Sequence, residues 1–195
     1  MSKYILSDIQ TRKISTVIKY VKKFKGCPYK KYCSNQGQTK DAPPFWVENK
    51  ELPAFDFIYK KGLVCAGLAN IARRYMKLEV PGNITGMRKS TFIGGTYAWF
   101  IYLKNKKRLE KINFEKQYPK GTLLLQNYNP KDQGHVAISI NSSKKGLLQS
   151  KIVHAINGTW NGKKYNCTVI EKLNDYPYYN RFTHICLPQN WLLKN

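Results

Sequence analysis

At 195 residues the chain fits one domain, 1–195, and is long enough to bury a core without disulfides or a metal. Its 34 Lys and Arg against 11 Asp and Glu give a formal charge of +23, spread along the whole length. Such a field attracts polyanions: nonspecific nucleic acid, an anionic membrane surface or an acidic partner. Hydrophobic residues at 42% and aromatics at 13% exclude a disordered chain, and the lack of any run of about 18 apolar residues excludes a membrane-spanning helix.

Met1 to Tyr20 has no apolar run, so no signal peptide is expected there. Ser7 and Asp8 read instead as the N-cap of a helix in which Ile14, Val17, Ile18, Val21 and Phe24 recur at three-and-four spacing until Gly26. From Cys27 to Pro53 the chain is rich in Gly, Pro, Asn and polar residues and reads as a long, partly extended loop. It runs into an aromatic-rich insertion at about 34–60 that carries Phe45, Trp46, Phe55, Phe57 and Tyr59. These aromatics suit either a lid or apolar wall over a bound group, with Trp46 as a substrate-binding candidate, or plain packing of the insertion onto the domain.

A second helix starts near Val64 or Cys65. Leu68, Ile71, Ala72 and Tyr75 form its buried stripe, Arg73, Arg74 and Lys77 its wet side, and Pro81-Gly82 its stop. Gly94-Gly95 precedes a short third helix over Thr96 to Phe100, which runs into the basic tract Lys104 to Lys111, read as a solvated face. After Gly121 the pattern turns to strands: Thr122 to Gln126, His135 to Ile140, Lys151 to Ile156, Tyr165 to Glu171 and Phe182 to Leu187. Turn signals at Asn129-Pro130, Asn141-Ser142-Ser143 and Asn157-Gly158 separate them. Helices first and an antiparallel sheet second predict an α+β fold.

Five cysteines, Cys27, Cys33, Cys65, Cys167 and Cys186, are odd in number and irregular in spacing, which fits a reducing compartment rather than a disulfide framework. With three histidines and no metal-ligand spacing among them, neither a metal nor another cofactor is expected.

A thiol nucleophile needs a stabilised thiolate, a nearby base and donors for a developing oxyanion. Cys65 at a helix N-terminus faces the positive end of the helix dipole and free backbone amides, and Gly67 allows close backbone approach there. His135 follows Gly134 and opens a strand in which His135, Ala137 and Ser139 share one face. His154 lies in the next strand, and two adjacent antiparallel strands can bring two such side chains within about 5 Å. Taken singly, each of these residues is more often a packing or hydrogen-bonding residue; their order in the chain is what favours chemistry.

That order carries a family resemblance. Tyr20 to Tyr29, ending Gly26-Cys27-Pro28-Tyr29, resembles the helix end and Gly-x-Pro-Tyr turn of the NlpC superfamily of papain-like cysteine peptidases. Gly62-Leu63-Val64-Cys65-Ala66-Gly67-Leu68 is similar to its nucleophile motif. Gly121 to Leu124 and Gly134 to Ile138 resemble its strand, turn and base-bearing strand, and Ile152-Val153-His154-Ala155 its third-residue strand, all in the linear, non-permuted order. The resemblance implies a papain-like fold, N-terminal helices on a C-terminal antiparallel sheet or partly open barrel. It also implies Cys65 as nucleophile, His135 as base, His154 as its orienting partner and Tyr29 as an auxiliary hydroxyl. His184 is the other histidine open to the third role.

The implied activity is a thiol peptidase, amidase or acyltransferase that attacks a peptide, amide or acyl-ester substrate through a thioester. Family members that cut cell-wall peptides commonly carry Asp before and Ser after the cysteine; here Val64 and Ala66 stand there, so the anchor for a substrate ammonium is missing. The expected location is intracellular, cytoplasmic or virion-associated, with large DNA viruses among the family's hosts. From a different class comes a basic polyanion-binding or packaging protein that keeps the fold without activity, and from a third a lipid-modifying enzyme at an anionic membrane surface.

Overall fold

The computed structural model describes residues 6–30, 51–81, 94–126, 134–160 and 162–193. Trp46, Phe45, Cys33, Gly82 and the Asn129-Pro130 turn lie outside the described residues.

Helix α1, Asp8–Lys22, begins in a capping box: the Gln10 amide donates to Ser7 Oγ at 3.2 Å, and the Ser7 amide donates to Gln10 Oε1 at 3.0 Å. Its apolar stripe of Ile14, Val17, Ile18 and Val21 is buried as the spacing predicts. A seven-residue helix, α2, Phe55–Lys61, then occupies the end of the segment read as a loop and insertion. It has no side-chain cap and buries Ile58 alone, so its sequence shows no helical stripe. Phe55 packs against Phe24 with ring centroids 4.9 Å apart and against Tyr59 at 5.6 Å, which fastens this part of the insertion to the turn just past α1.

Helix α3, Cys65–Tyr75, is buried from Cys65 through Arg73, and its Leu68, Ile71 and Ala72 enter the same core as the α1 stripe. Two expectations fail here. The helix stops at Tyr75 rather than at Pro81, with Lys77 in the left-handed region at φ 55°. Arg73 is buried rather than wet, because a C-terminal helix covers it: Nη1 donates to the Trp191 carbonyl at 2.8 Å and Nε to the Glu79 carbonyl at 2.7 Å. Helix α4, Thr96–Asn105, runs five residues past the expected Phe100.

The basic tract that follows is only partly a solvated face, since Glu110–Lys111 forms an edge strand, β1. The other strands are β2, Leu123–Gln126; β3, Val136–Ser139; β4, Lys151–Trp160; β5, Lys163–Lys172; and β6, Phe182–Cys186. They pair antiparallel in the order β1-β6-β2-β3-β4-β5. The β4–β5 ladder runs unbroken from Lys151↔Lys172 to Trp160↔Lys163, so Asn157-Gly158 lies within a strand rather than at a turn. The reversal falls four residues later, where Gly162 has φ 70°. A last helix, α5, Pro188–Leu192, starts with proline, whose missing amide costs nothing at that position.

The described residues thus form an α+β fold of five helices and one six-stranded antiparallel sheet. Alternate strand residues feed two cores. Leu123, Leu125, Val136, Ile138, Val153 and Ala155 meet the helices; Leu124, Ala137, Ile152, Ile156 and Phe182 meet Leu147, Leu173 and Tyr176 on the other face. Among the described residues, no helix is long and apolar enough to cross a membrane.

Candidate active site

Cys65 is the first residue of α3. Its N-cap, Val64, is extended and has no capping side chain, so the first-turn amides are not claimed by a cap. The Gly67 amide donates to the Val64 carbonyl at 2.9 Å, which removes Gly67 as an oxyanion donor and leaves the amides of Cys65 and Ala66 turned on the sulfur. The Val136 amide, from the first residue of β3, reaches the same sulfur, and Thr96 Oγ1 lies 3.6 Å from it. Burial pushes the thiol up from its ordinary pKa, and these four hydrogen bonds pull it back. The resting sulfur is therefore a thiol rather than a preformed thiolate.

The segment entering α3 is held tightly. Leu63 donates to the Pro28 carbonyl at 2.9 Å, and Lys30 donates to the Leu63 carbonyl at 3.0 Å. Gly62 makes this approach possible: it has φ 87°, and a Cβ there would lie 2.6 Å from Lys30 Cβ and 2.7 Å from the Pro28 carbonyl oxygen. Tyr29 lies between, its amide donating to the Asn166 carbonyl at 2.9 Å. Burial, and then the charge a Cys65 thiolate would carry, raise the Tyr29 phenol. The second aromatic hydroxyl near the thiol is Tyr176, which is raised by the same two causes in the same order.

Gly134 has φ 79°, and a Cβ there would lie 2.7 Å from the Gln126 carbonyl oxygen and 3.1 Å from Thr96 Cγ2, so the residue before His135 runs close to Thr96, the partner of Cys65. His135 Nε2 lies 2.8 Å from His154 Nδ1, and His154 Nε2 lies 2.7 Å from Glu171 Oε1. The sheet explains this chain. Ile138 faces Val153 and Ser139 faces Ile152, a register that continues to Ala137 opposite His154, with His135 two residues away on the same face. On the other side His154 faces Val169 and Ile152 faces Glu171, so Glu171 is again two residues off on that face. The small Ala137 leaves the space that the two rings fill.

Tyr176 and Phe182 close over the imidazoles, with ring centroids 5.7 and 5.6 Å from His135; Tyr176 lies 4.7 Å from His154. His154 is fully enclosed, whereas Cys65 and His135 keep 5% and 9% of their surface, so of these three only Cys65 and His135 can meet a substrate directly. Burial lowers His154 to about 3 and keeps it neutral.

The structure pairs His135 with His154, sets Cys65 against the Val136 amide next to His135, and puts Tyr29 within the electrostatic reach of Cys65. His184 is elsewhere: it accepts from or donates to Thr183 Oγ1 at 2.9 Å, stands edge-on to Phe100 at 5.1 Å, and is lowered by burial, Lys111 and Lys104. Sequence reasoning missed Thr96, Tyr176 and Glu171. Glu171 alone left a readable trace, as the one acidic residue in the strand after His154. Among the described residues no group of three His, Cys, Asp or Glu could hold a metal.

No protein-family model matches the chain, and a search of curated proteins finds no significant match.

Proposed function

We propose that the protein is a cysteine-dependent hydrolase or acyltransferase acting on an amide, ester or isopeptide bond, built on a papain-like arrangement related to the NlpC superfamily. The observation that carries this reading is the hydrogen-bonded pair His135–His154, at 2.8 Å, beside a sulfur at the N-terminus of α3 that the amide next to His135 also touches. In this reading His154 holds His135 through Nε2, and Nδ1 serves as the base.

In this mechanism His135 Nδ1 takes the Cys65 proton as the sulfur attacks the substrate carbonyl carbon. The Cys65 and Ala66 amides stabilise the resulting oxyanion, aided by the dipole of α3. Imidazolium His135 then protonates the departing amine or alcohol, leaving a thioester on Cys65. Water or an amine, deprotonated by His135, attacks the thioester and restores the thiol. The residues flanking the sulfur, Val64 and Ala66, are apolar and buried and supply no carboxylate to hold an ammonium group. With a chain charge of +23, this favours a neutral or anionic acyl donor over a peptide with a free amine near the cut bond.

Iodoacetamide labelling followed by peptide mass spectrometry tests the reading. Cys65 is expected to react faster than the other four cysteines because in this reading His135 takes its proton, and its rate at pH 8 is expected to fall about 100-fold in His135→Ala. Equal labelling of all five cysteines, or a Cys65 rate indifferent to His135, refutes it.

A second reading has its own observation. Lys104, Lys107, Lys111 and His184 surround a cleft of about 370 Å³ floored by Phe100 and Leu109, a shape and charge suited to phosphate groups of a polyanion. Binding of duplex DNA is then expected to weaken steeply with salt and to survive Cys65→Ala. Negligible affinity at low salt removes this reading.

A further inference from the structure

We infer that Glu171 is a positioning residue that fixes the tautomers of both imidazoles, so that His135 can offer the thiol proton an unprotonated Nδ1. This rests on the thiol chemistry proposed above and adds to it a member that touches neither sulfur nor substrate.

The argument is a count of protons along two short hydrogen bonds. An ionised carboxylate can only accept, so across the 2.7 Å contact His154 Nε2 must carry the hydrogen. His154 is neutral and has one N–H, which leaves its Nδ1 bare. Across the 2.8 Å contact His135 Nε2 must therefore donate, and a neutral His135 then has a bare Nδ1. The opposite chain satisfies the same contacts. A protonated Glu171 donates to His154 Nε2, His154 Nδ1–H donates to His135 Nε2, and His135 is left with Nδ1–H, which cannot accept the thiol proton. Both arrangements fill the two contacts that join the three side chains, so the proton on Glu171 selects between them.

When the thiol proton reaches His135 Nδ1, the imidazolium keeps its Nε2–H on His154 Nδ1. The Glu171 charge, one ring further on, stabilises it through an enclosed path.

The groups around Glu171 are mixed in sign. His154 faces it from β4, Lys163 of the same strand favours its ionised form, and Asp175 in the following 3-10 turn opposes it; Tyr176 also lies within its field. With its side chain 14% exposed, the carboxyl is raised first by desolvation and then by Asp175, to about 7. The productive tautomers are therefore expected to gain population as pH rises from about 6 to 8.

Three histidines make the test direct. In full-length protein labelled with ¹⁵N-histidine, long-range ¹H–¹⁵N spectra at pH 8 are expected to show His135 and His154 both as Nε2–H tautomers. Glu171→Leu is expected to shift both toward Nδ1–H and to slow Cys65 alkylation at pH 8 about 100-fold. Glu171→Gln, which keeps size and hydrogen bonding, guards against a folding defect: its alkylation rate is expected to lose the rise between pH 6 and 8 that the unaltered protein shows beyond the intrinsic thiol titration. Unchanged Nε2–H tautomers in both variants, or an unaltered pH profile in Glu171→Gln, overturn the inference. If Cys65 is inert while the tautomers follow Glu171, the hydrolase reading falls and this one stands. If Cys65 is reactive through His135 yet indifferent to Glu171, the reverse holds.

Discussion

At Glu171, burial and Asp175 raise the carboxyl from an ordinary 4.5 to about 7. The folded chain thus binds this proton more tightly than the unfolded one, so the group's contribution to stability is full below pH 4.5 and is lost as pH rises through about 7. Glu171→Gln removes the titration. Its thermal midpoint is expected to gain on the unaltered protein steadily between pH 5 and 8, which differential scanning calorimetry across that range would record. Stability and the productive tautomer therefore pull in opposite directions over the same pH interval. Cys65 and His135 stood out in the sequence because reactive residue types fell at element starts with small or glycine neighbours. Glu171 was not, because a glutamate near the end of an alternating strand looks like an ordinary solvent-facing residue until the two-residue offset between strands is known. Whether His154 or His184 stood beside the base was equally beyond one-dimensional reading, since it depends on strand order rather than strand content.

Among the elements, the approach of α4 to α3 depends on one buried amide. Asn70 Nδ2 donates to the Gly94 carbonyl at 2.9 Å while its Oδ1 accepts from Trp99 Nε1 at 2.8 Å. These bonds tie α3 to the turn that presents Thr96 to the sulfur. Asn70→Ala leaves the Trp99 donor and the Gly94 acceptor buried without their partner, and is expected to cost about 2–4 kcal/mol by chemical denaturation. It is also expected to slow Cys65 alkylation in the remaining folded protein, because Thr96 loses its anchor. Elements with strong internal signals were read well: α1 by its spacing and N-cap, and the strands by their short β-rich runs between turn residues. Helices α2 and α5 escaped because they are seven and five residues long, too short for a helical stripe to show. The burial of Arg73 escaped with α5, since nothing local to α3 shows that a later helix will supply a carbonyl to its guanidinium.

At the scale of the whole molecule, the α+β class followed from the order of helical and strand patterns along the chain, and the positive charge coexists with two well-filled cores. Those cores divide the chemistry between them. Cys65 rides on α3, whose apolar residues belong to the helical core, while the His135 ring packs at a tilt against Tyr176 and Phe182 of the opposite core. Loosening either layer by about an ångström would disturb the proposed Cys65–His135 alignment before secondary structure melts. In a urea titration, the selective reactivity of Cys65 is therefore expected to vanish at a lower concentration than far-ultraviolet circular dichroism, making the thiol an internal gauge of how firmly the two halves are clamped.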